Sequence, residues 1–192
     1  GSADPLARSA EAATEAGRAT LDGIDRAAFG AAVTLLATRS RSVLVMAADA
    51  SQGIGAQFAT ELGMLRPGVV DVHGTEVAVR RALALLSPGD VVVTLDVPRY
   101  DRWGLAALDQ AHQGDARIVA LTASALSPLA RHAELVFTIA SETPGPFDSH
   151  VAALALLESL VAGVAAKLRS TATDRLERIE HVGRESEALT DE

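Results

Sequence analysis

Ser87-Pro88-Gly89-Asp90-Val91-Val92-Val93-Thr94-Leu95-Asp96-Val97-Pro98-Arg99-Tyr100-Asp101 decides the fold. Ser-Pro-Gly-Asp is turn chemistry. It runs directly into Asp90–Leu95, an apolar segment that scarcely alternates. Such a strand is covered on both faces, as parallel strands under helices are. Asp101 then suits the N-cap of a helix over Asp101–His112. That helix ends at Gln113-Gly114-Asp115, a second turn ahead of a second strand.

Working outward, the same unit recurs. Further strands are expected at Ser42–Met46, Val69–His73, Arg117–Thr122 and Leu135–Ile139. Helices or helical turns are expected between them at Ser51–Leu65, Thr75–Leu86 and Pro128–His132. This order predicts an α/β fold: a doubly wound, five-stranded parallel sheet flanked by helices, with right-handed crossovers. Residues 3–20, rich in Ala, Glu and Arg, predict an exposed N-terminal helical extension. Asp25 caps an amphipathic helix, Arg26–Thr38, that carries Phe29, Val33, Leu35 and Leu36. After Pro144-Gly145-Pro146, the helix Ser149–Leu168 is too apolar for a solvated surface. One of its faces should meet a partner subunit or the N-terminal helix. Residues 170–192 read as an exposed helix and a loose tail holding Glu185-Ser186-Glu187 and Asp191-Glu192. The expected division is a scar (Gly1-Ser2) and helical linker over 1–22, a ligand-binding domain over 23–170, and a C-terminal helix and tail over 171–192.

Composition narrows the function. A chain of 192 residues suits one compact domain. The absence of cysteine excludes disulfides, thiolate metal sites and cysteine nucleophiles, and fits a reducing cytoplasm. No apolar run approaches the roughly 18 residues of a membrane span, so no membrane partner is expected. With 25 acidic against 17 basic residues, the net charge of −8 lacks the basic footprint of nucleic-acid binding. Any DNA contact is therefore expected from a part outside this sequence. His73, His112, His132, His150 and His181 show no metal-ligand spacing. Neither a Gly-x-Ser-x-Gly elbow nor a Walker-type loop occurs. No cofactor and no metal are expected, and the residues alone lead to a small-molecule-binding α/β domain.

Ligands of such sheets bind at the carboxyl ends of strands, where helix N-termini offer free N–H groups. Three segments qualify: Ala47–Ser51, Asp96–Arg102 and Ala123-Ser124. Ser51 would cap a helix or give its hydroxyl to a ligand, and Asp49 has the same two readings. Asp96–Trp103 holds the only Tyr and the only Trp, with two arginines and two carboxylates. It is either a surface loop with Asp101 as a cap, or a recognition loop in which Arg99 and Arg102 pair a ligand anion. With Glu142 and His150 near the last apolar helix, the candidate ligand-binding set is Asp49, Ser51, Asp96, Arg99, Asp101, Arg102, Glu142 and His150.

Several stretches carry a family likeness. Ile24-Asp25-Arg26-Ala27-Ala28-Phe29 precedes a helix and Val43-Leu44-Val45-Met46, and Ser87-Pro88-Gly89-Asp90 leads into Val91-Val92-Val93. Ser127-Pro128-Leu129-Ala130-Arg131-His132-Ala133-Glu134 and Asp148-Ser149-His150-Val151-Ala152 follow in order. Over roughly residues 17–170 the chain resembles the sugar-isomerase (SIS) domain of the RpiR family of transcription regulators. The resemblance implies flavodoxin-like layering of the sheet, dimerisation and the sensing of a phosphosugar. It also implies a helix-turn-helix DNA-binding domain, and none precedes residue 17, so the expectation is an effector domain alone. A homodimer or tetramer, a sugar or sugar-derived effector and no enzymatic activity complete what is expected.

The departures matter chemically. The family's first loop resembles Gly-x-Gly-x-Ser, whereas here Ala47-Ala48-Asp49-Ala50-Ser51 keeps only the serine. Its second resembles Ser-x-Ser-Gly-x-Thr, and the aligned residues are Asp96-Val97-Pro98-Arg99-Tyr100-Asp101. Pro98 removes an N–H donor, and Asp49, Asp96 and Asp101 place negative charge where a phosphate would sit. Phosphosugar binding is therefore expected to be lost or rebuilt, leaving the pocket to a neutral or cationic ligand or to none. Two alternatives follow the regulator reading: a silent dimerisation module, then an aldose–ketose phosphate isomerase with Glu142, His73 or His150 as base.

Overall fold

Thr94 apart, β3 (Val91–Leu95) is apolar and wholly buried, as its run of β-branched residues requires. It lies at the centre of a five-stranded, all-parallel sheet with β1 (Val43–Ala47), β2 (Val69–Asp71), β4 (Arg117–Thr122) and β5 (Leu135–Thr138). The computed structural model describes residues 4–98 and 100–185. Gly1-Ser2, Arg99 and the tail from Ser186 to Glu192 lie outside the described residues. The strand order is β2-β1-β3-β4-β5, with Val43 opposite both Val69 and Val91, and Val91 opposite Arg117. The chain leaves β1 toward one edge and returns to build β3 on the other side. The β1/β3 boundary is therefore the point where connections diverge.

Helices cover both faces. One core packs Val43, Val45, Val91 and Val93 against α2 (Arg26–Ala37), α3 (Gln52–Leu65) and α6 (Val151–Lys167). The other packs Leu44, Met46 and Val92 against α4 (Glu76–Ala84) and α5 (Arg102–Gln113). Pro128–His132 is a 3-10 turn. Element ends differ from expectation by one or two residues in most cases, because capping residues lie just outside them. Asp25 accepts from the N–H groups of Ala27 and Ala28, and Thr75 from that of Ala78. Asp90 stays outside β3: its buried carboxylate accepts from the N–H groups of Ser42 and Ser87, both at 2.8 Å, and so joins the turn to β1.

One expectation changes. The N-terminal helix, α1 (Pro5–Asp22), is not simply exposed: Ala16 and Thr20 are buried, and it packs against α6. The Thr20 hydroxyl accepts from the Ala140 N–H at 2.9 Å, which fixes this helix to the end of β5. The apolar face of α6 accordingly meets α1, α2 and α3 within the same chain. The last helix, α7 (Arg169–Glu185), turns away from α6 by 106° and is held by buried Ala172 and by Arg175 on the carbonyls of Gly63 and Met64. No single helix among the described residues is long and apolar enough to cross a membrane.

One close approach positions the loop after β1. Gly55 in α3 lies so near this strand that an added Cβ would stand 2.7 Å from the Ala47 Cβ. Ala47 is held in the sheet and has no side-chain freedom to give. Gly55→Ala is therefore expected to destabilise the chain by about 1–3 kcal/mol, overpacking outweighing the helix-propensity gain. Urea unfolding measures this, and an unchanged or raised midpoint would show that α3 shifts freely.

Candidate functional site

A cleft of about 430 Å³ opens at the carboxyl edge of the sheet, on the β1/β3 boundary. Its floor is apolar: Met46, Val72, Val79, Leu108 and Leu129 belong to the core beneath α4 and α5. Strand alternation explains what β3 adds. Val92 faces that core, so Thr94 and Asp96, two and four residues on, emerge on the same face and line the cleft. Thr94 is only 3% exposed, and its hydroxyl is hydrogen-bonded to no described residue.

The loop after β3 is self-satisfied. The Asp96 carboxylate accepts from the Val97 N–H at 2.8 Å and stands near the backbone of Asp101. Asp101 caps α5 through the Trp103 N–H at 3.1 Å while lining the cleft. Tyr100 drops away from the cleft to exchange a 3.0 Å hydrogen bond with Thr122, whose hydroxyl meets that of Ser127. Burial pushes the Asp96 carboxyl up to about 6, and the neighbouring Asp101 charge adds to this. The two backbone N–H groups pull the other way and lose.

Of the residues expected from sequence, Asp49, Asp96, Asp101 and His150 come together on this cleft. Ser51 sits at the start of α3 but does not cap it with its side chain. It is 1% exposed, and its hydroxyl pairs with His150 Nε2 at 3.0 Å. It thereby ties the loop after β1 to the start of α6 and turns His150 toward the cleft. Arg102 and Glu142 are exposed and stand outside it, and Arg99 lies outside the described residues. Ser124, after β4, closes a local turn by accepting from the Leu126 N–H.

The structure adds residues outside the candidate ligand-binding set. Thr94 is legible in retrospect as the one polar residue inside an apolar strand, in phase with Asp96. Trp103 and Asp148 join the lining, the first from the opening turn of α5 and the second from the loop before α6. His73 lines the far side, its Nδ1 2.9 Å from Asp71. Asp148 and His150 reach the cleft from one segment and His73 from another far away in the chain, so no local spacing could have joined them. Among the described residues no group of three or more His, Cys, Asp or Glu side chains could hold a metal ion.

Ser51→Ala is expected to cost about 1 kcal/mol in thermal unfolding, the worth of one net hydrogen bond. It should also free the His150 ring, seen as broadening of its NMR signals. Ring signals as sharp as those of the unaltered chain would show that Ser51 does not hold His150.

The arrangement is that of an open α/β ligand site, and comparisons with known proteins agree. The RpiR transcription factor sugar isomerase domain of Sphaerobacter thermophilus shares 26% identity at a TM-score of 0.83, over 92% of this chain and 98% of that one. The Vibrio vulnificus NanR protein, solved with ManNAc-6P, shares 20% at a TM-score of 0.81, over 95% and 69%. A phosphoheptose isomerase from Francisella tularensis shares 15% at 0.67, over 83% and 95%. The last two likenesses concern the fold alone. A search of curated proteins gives no match. The model of the SIS domain matches residues 36–163, a span that takes in all five strands and both loops of the cleft, and the chain belongs to that family.

Proposed function

We propose that this chain is the effector-binding and dimerising domain of an RpiR-like transcription regulator, sensing a sugar-derived small molecule without turning it over. One observation carries the reading. The cleft on the β1/β3 boundary is of ligand size, with an apolar floor and a few convergent polar groups. The likeness to the regulator domain over nearly its whole length supports the regulatory role. The net charge of −8 leaves these residues without the basic footprint of DNA binding, so in this reading DNA is met through a helix-turn-helix domain outside them. A cytoplasmic location, a homodimer or tetramer and a ligand-binding domain near residues 23–170 belong to the same reading.

The isomerase alternative has its own observation, since His73 and His150 both line the cleft. It needs a held phosphate as well as a base, and the lining residues described offer no Lys or Arg to hold one.

A thermal-shift screen with free sugars, amino sugars, sugar phosphates and small carboxylates tests the proposal. A ligand at 100 times its Kd adds about 2.7 kcal/mol to the folded state. For a domain of this size that raises Tm by roughly 5–10 °C. A shift without turnover is the expected result. Turnover of a sugar phosphate would establish the isomerase, and a panel without any shift would leave only the dimerisation module.

A further inference from the structure

The groups that normally receive an anion at this edge of the sheet are already occupied by the chain's own carboxylates. The Val97 N–H is taken by Asp96, and the Trp103 N–H at the start of α5 by Asp101. Pro98 has no N–H to offer. An incoming phosphate would find its helix N-terminus filled and four carboxylates around it, from Asp49, Asp96, Asp101 and Asp148. Among the described residues of the lining there is no Lys or Arg to offset them.

The same residues suit the opposite charge. Asp96 uses Oδ1 on Val97, and Asp101 uses Oδ1 on Trp103, which leaves a second oxygen on each carboxylate for another donor. Thr94, buried to 3% exposure beside Asp96, carries a hydroxyl that meets no described residue. No side-chain oxygen of the described residues is both buried and unpartnered, so this hydroxyl is open to the cleft and free to pair with a polyol. Trp103 presents an aromatic surface to the same space, a favourable neighbour for a cation or for the C–H face of a sugar ring.

We propose that the cleft binds an unphosphorylated, amine-bearing polyol, an amino sugar or aminocyclitol. Its ammonium sits by Asp96 and Asp101, with Asp49 and Asp148 elsewhere on the lining adding to the negative potential, and a neighbouring hydroxyl sits on Thr94. This rests on the reading of the cleft as the effector site and narrows its ligand class. N-acetylation removes the positive charge and a phosphate adds a negative one, so both changes weaken binding.

Trp103 is the only tryptophan in the chain and lines the cleft, so its fluorescence reports the site without a label. Titration of the purified chain at pH 7.5 with glucosamine, N-acetylglucosamine and glucosamine 6-phosphate makes the comparison. Glucosamine is expected to saturate at least about tenfold more tightly than either derivative. Asp101→Asn and Asp49→Asn should each narrow that preference. Cesium should quench Trp103 better than iodide does, and the Asp49→Asn, Asp101→Asn double variant should reverse that order. Equal or tighter binding of glucosamine 6-phosphate overturns the proposal and leaves the effector-site reading intact. Absence of saturable binding by glucosamine overturns it whatever the quenching shows. If Trp103 responds to none of the sugars, phosphorylated or not, the effector-site reading falls with it.

Discussion

Asp96→Asn should make the folded chain more stable at pH 7.5 and at the same time abolish its response to ligand. The Asp96 carboxyl titrates near 6 in the folded chain against 3.8 unfolded, because the folded surroundings bury it beside Asp101. The folded state therefore holds the proton more tightly than the unfolded state does. Stability from this group is complete below about pH 4 and is lost as pH rises through about 6. Discounted for the partial exposure of the group, a shift of that size corresponds to about 1–2 kcal/mol, carried as a destabilising term at neutral pH. Asn keeps an oxygen for the Val97 N–H and carries no charge. Its Tm at pH 7.5 should rise by about 2–8 °C, and the fall in stability between pH 4 and 6 should flatten. Thermal unfolding across pH 4–8 checks both. A variant less stable than the parent at pH 7.5 would show that the charge of Asp96 is structurally satisfied. Gain of stability with loss of binding is the expected pattern at a site where charge is held for a ligand.

That tension was partly legible in the sequence. Asp96 follows an unbroken strand, so its place at the carboxyl edge came from the pattern Val91-Val92-Val93-Thr94-Leu95 alone. The sheet was legible for the same reason: β-branched runs punctuated by Ser-Pro-Gly-Asp and Gln-Gly-Asp constrain strand and turn locally. The fate of single hydroxyls and charges was not. Ser51 has the sequence context of a cap, but His150, 99 residues away, takes its hydroxyl. Arg102 and Asp101 are adjacent, yet one points to solvent and the other caps α5 at the cleft wall. Local propensity places a residue on an element, and the tertiary arrangement chooses its partner. The N-terminal helix shows this too. Its low apolar content suggested exposure, but small residues such as Ala16 permit close packing on α6.

Arg66→Met is expected to be the most damaging single change and to spare ligand binding. Arg66 follows α3 within Arg66-Pro67-Gly68, a sequence that reads as a solvated helix end, yet it is 0% exposed. Its guanidinium donates to the carbonyl of Leu36 at 2.6 Å, to that of Pro67 at 2.9 Å, and to that of Arg41. Three segments thus converge on one cation: the end of α2, the approach to β1 and the exit from α3. Burial and the like charge of Arg39 push its pKa down, and Asp90 offsets this only in part. The fork of donors explains why it is arginine. Met replaces much of the volume and none of the hydrogen bonds, leaving the buried Leu36 carbonyl and the part-buried carbonyls of Arg41 and Pro67 without this partner. At about 1–3 kcal/mol for each unsatisfied group, less relaxation, the loss should be about 3–5 kcal/mol. Tm should fall by about 10 °C. Lys restores one donor direction of the three and should recover only part of the loss. Thermal and urea unfolding of both variants measure this, and a Met variant within about 1 kcal/mol of the parent would remove Arg66 from the framework. Arg66 lies at the opposite end of α3 from Gln52, which lines the cleft. Below its lowered Tm, Arg66→Met should bind ligand as the parent does. Asp96→Asn should show the reverse, which separates the residues that hold the fold from those that hold the ligand.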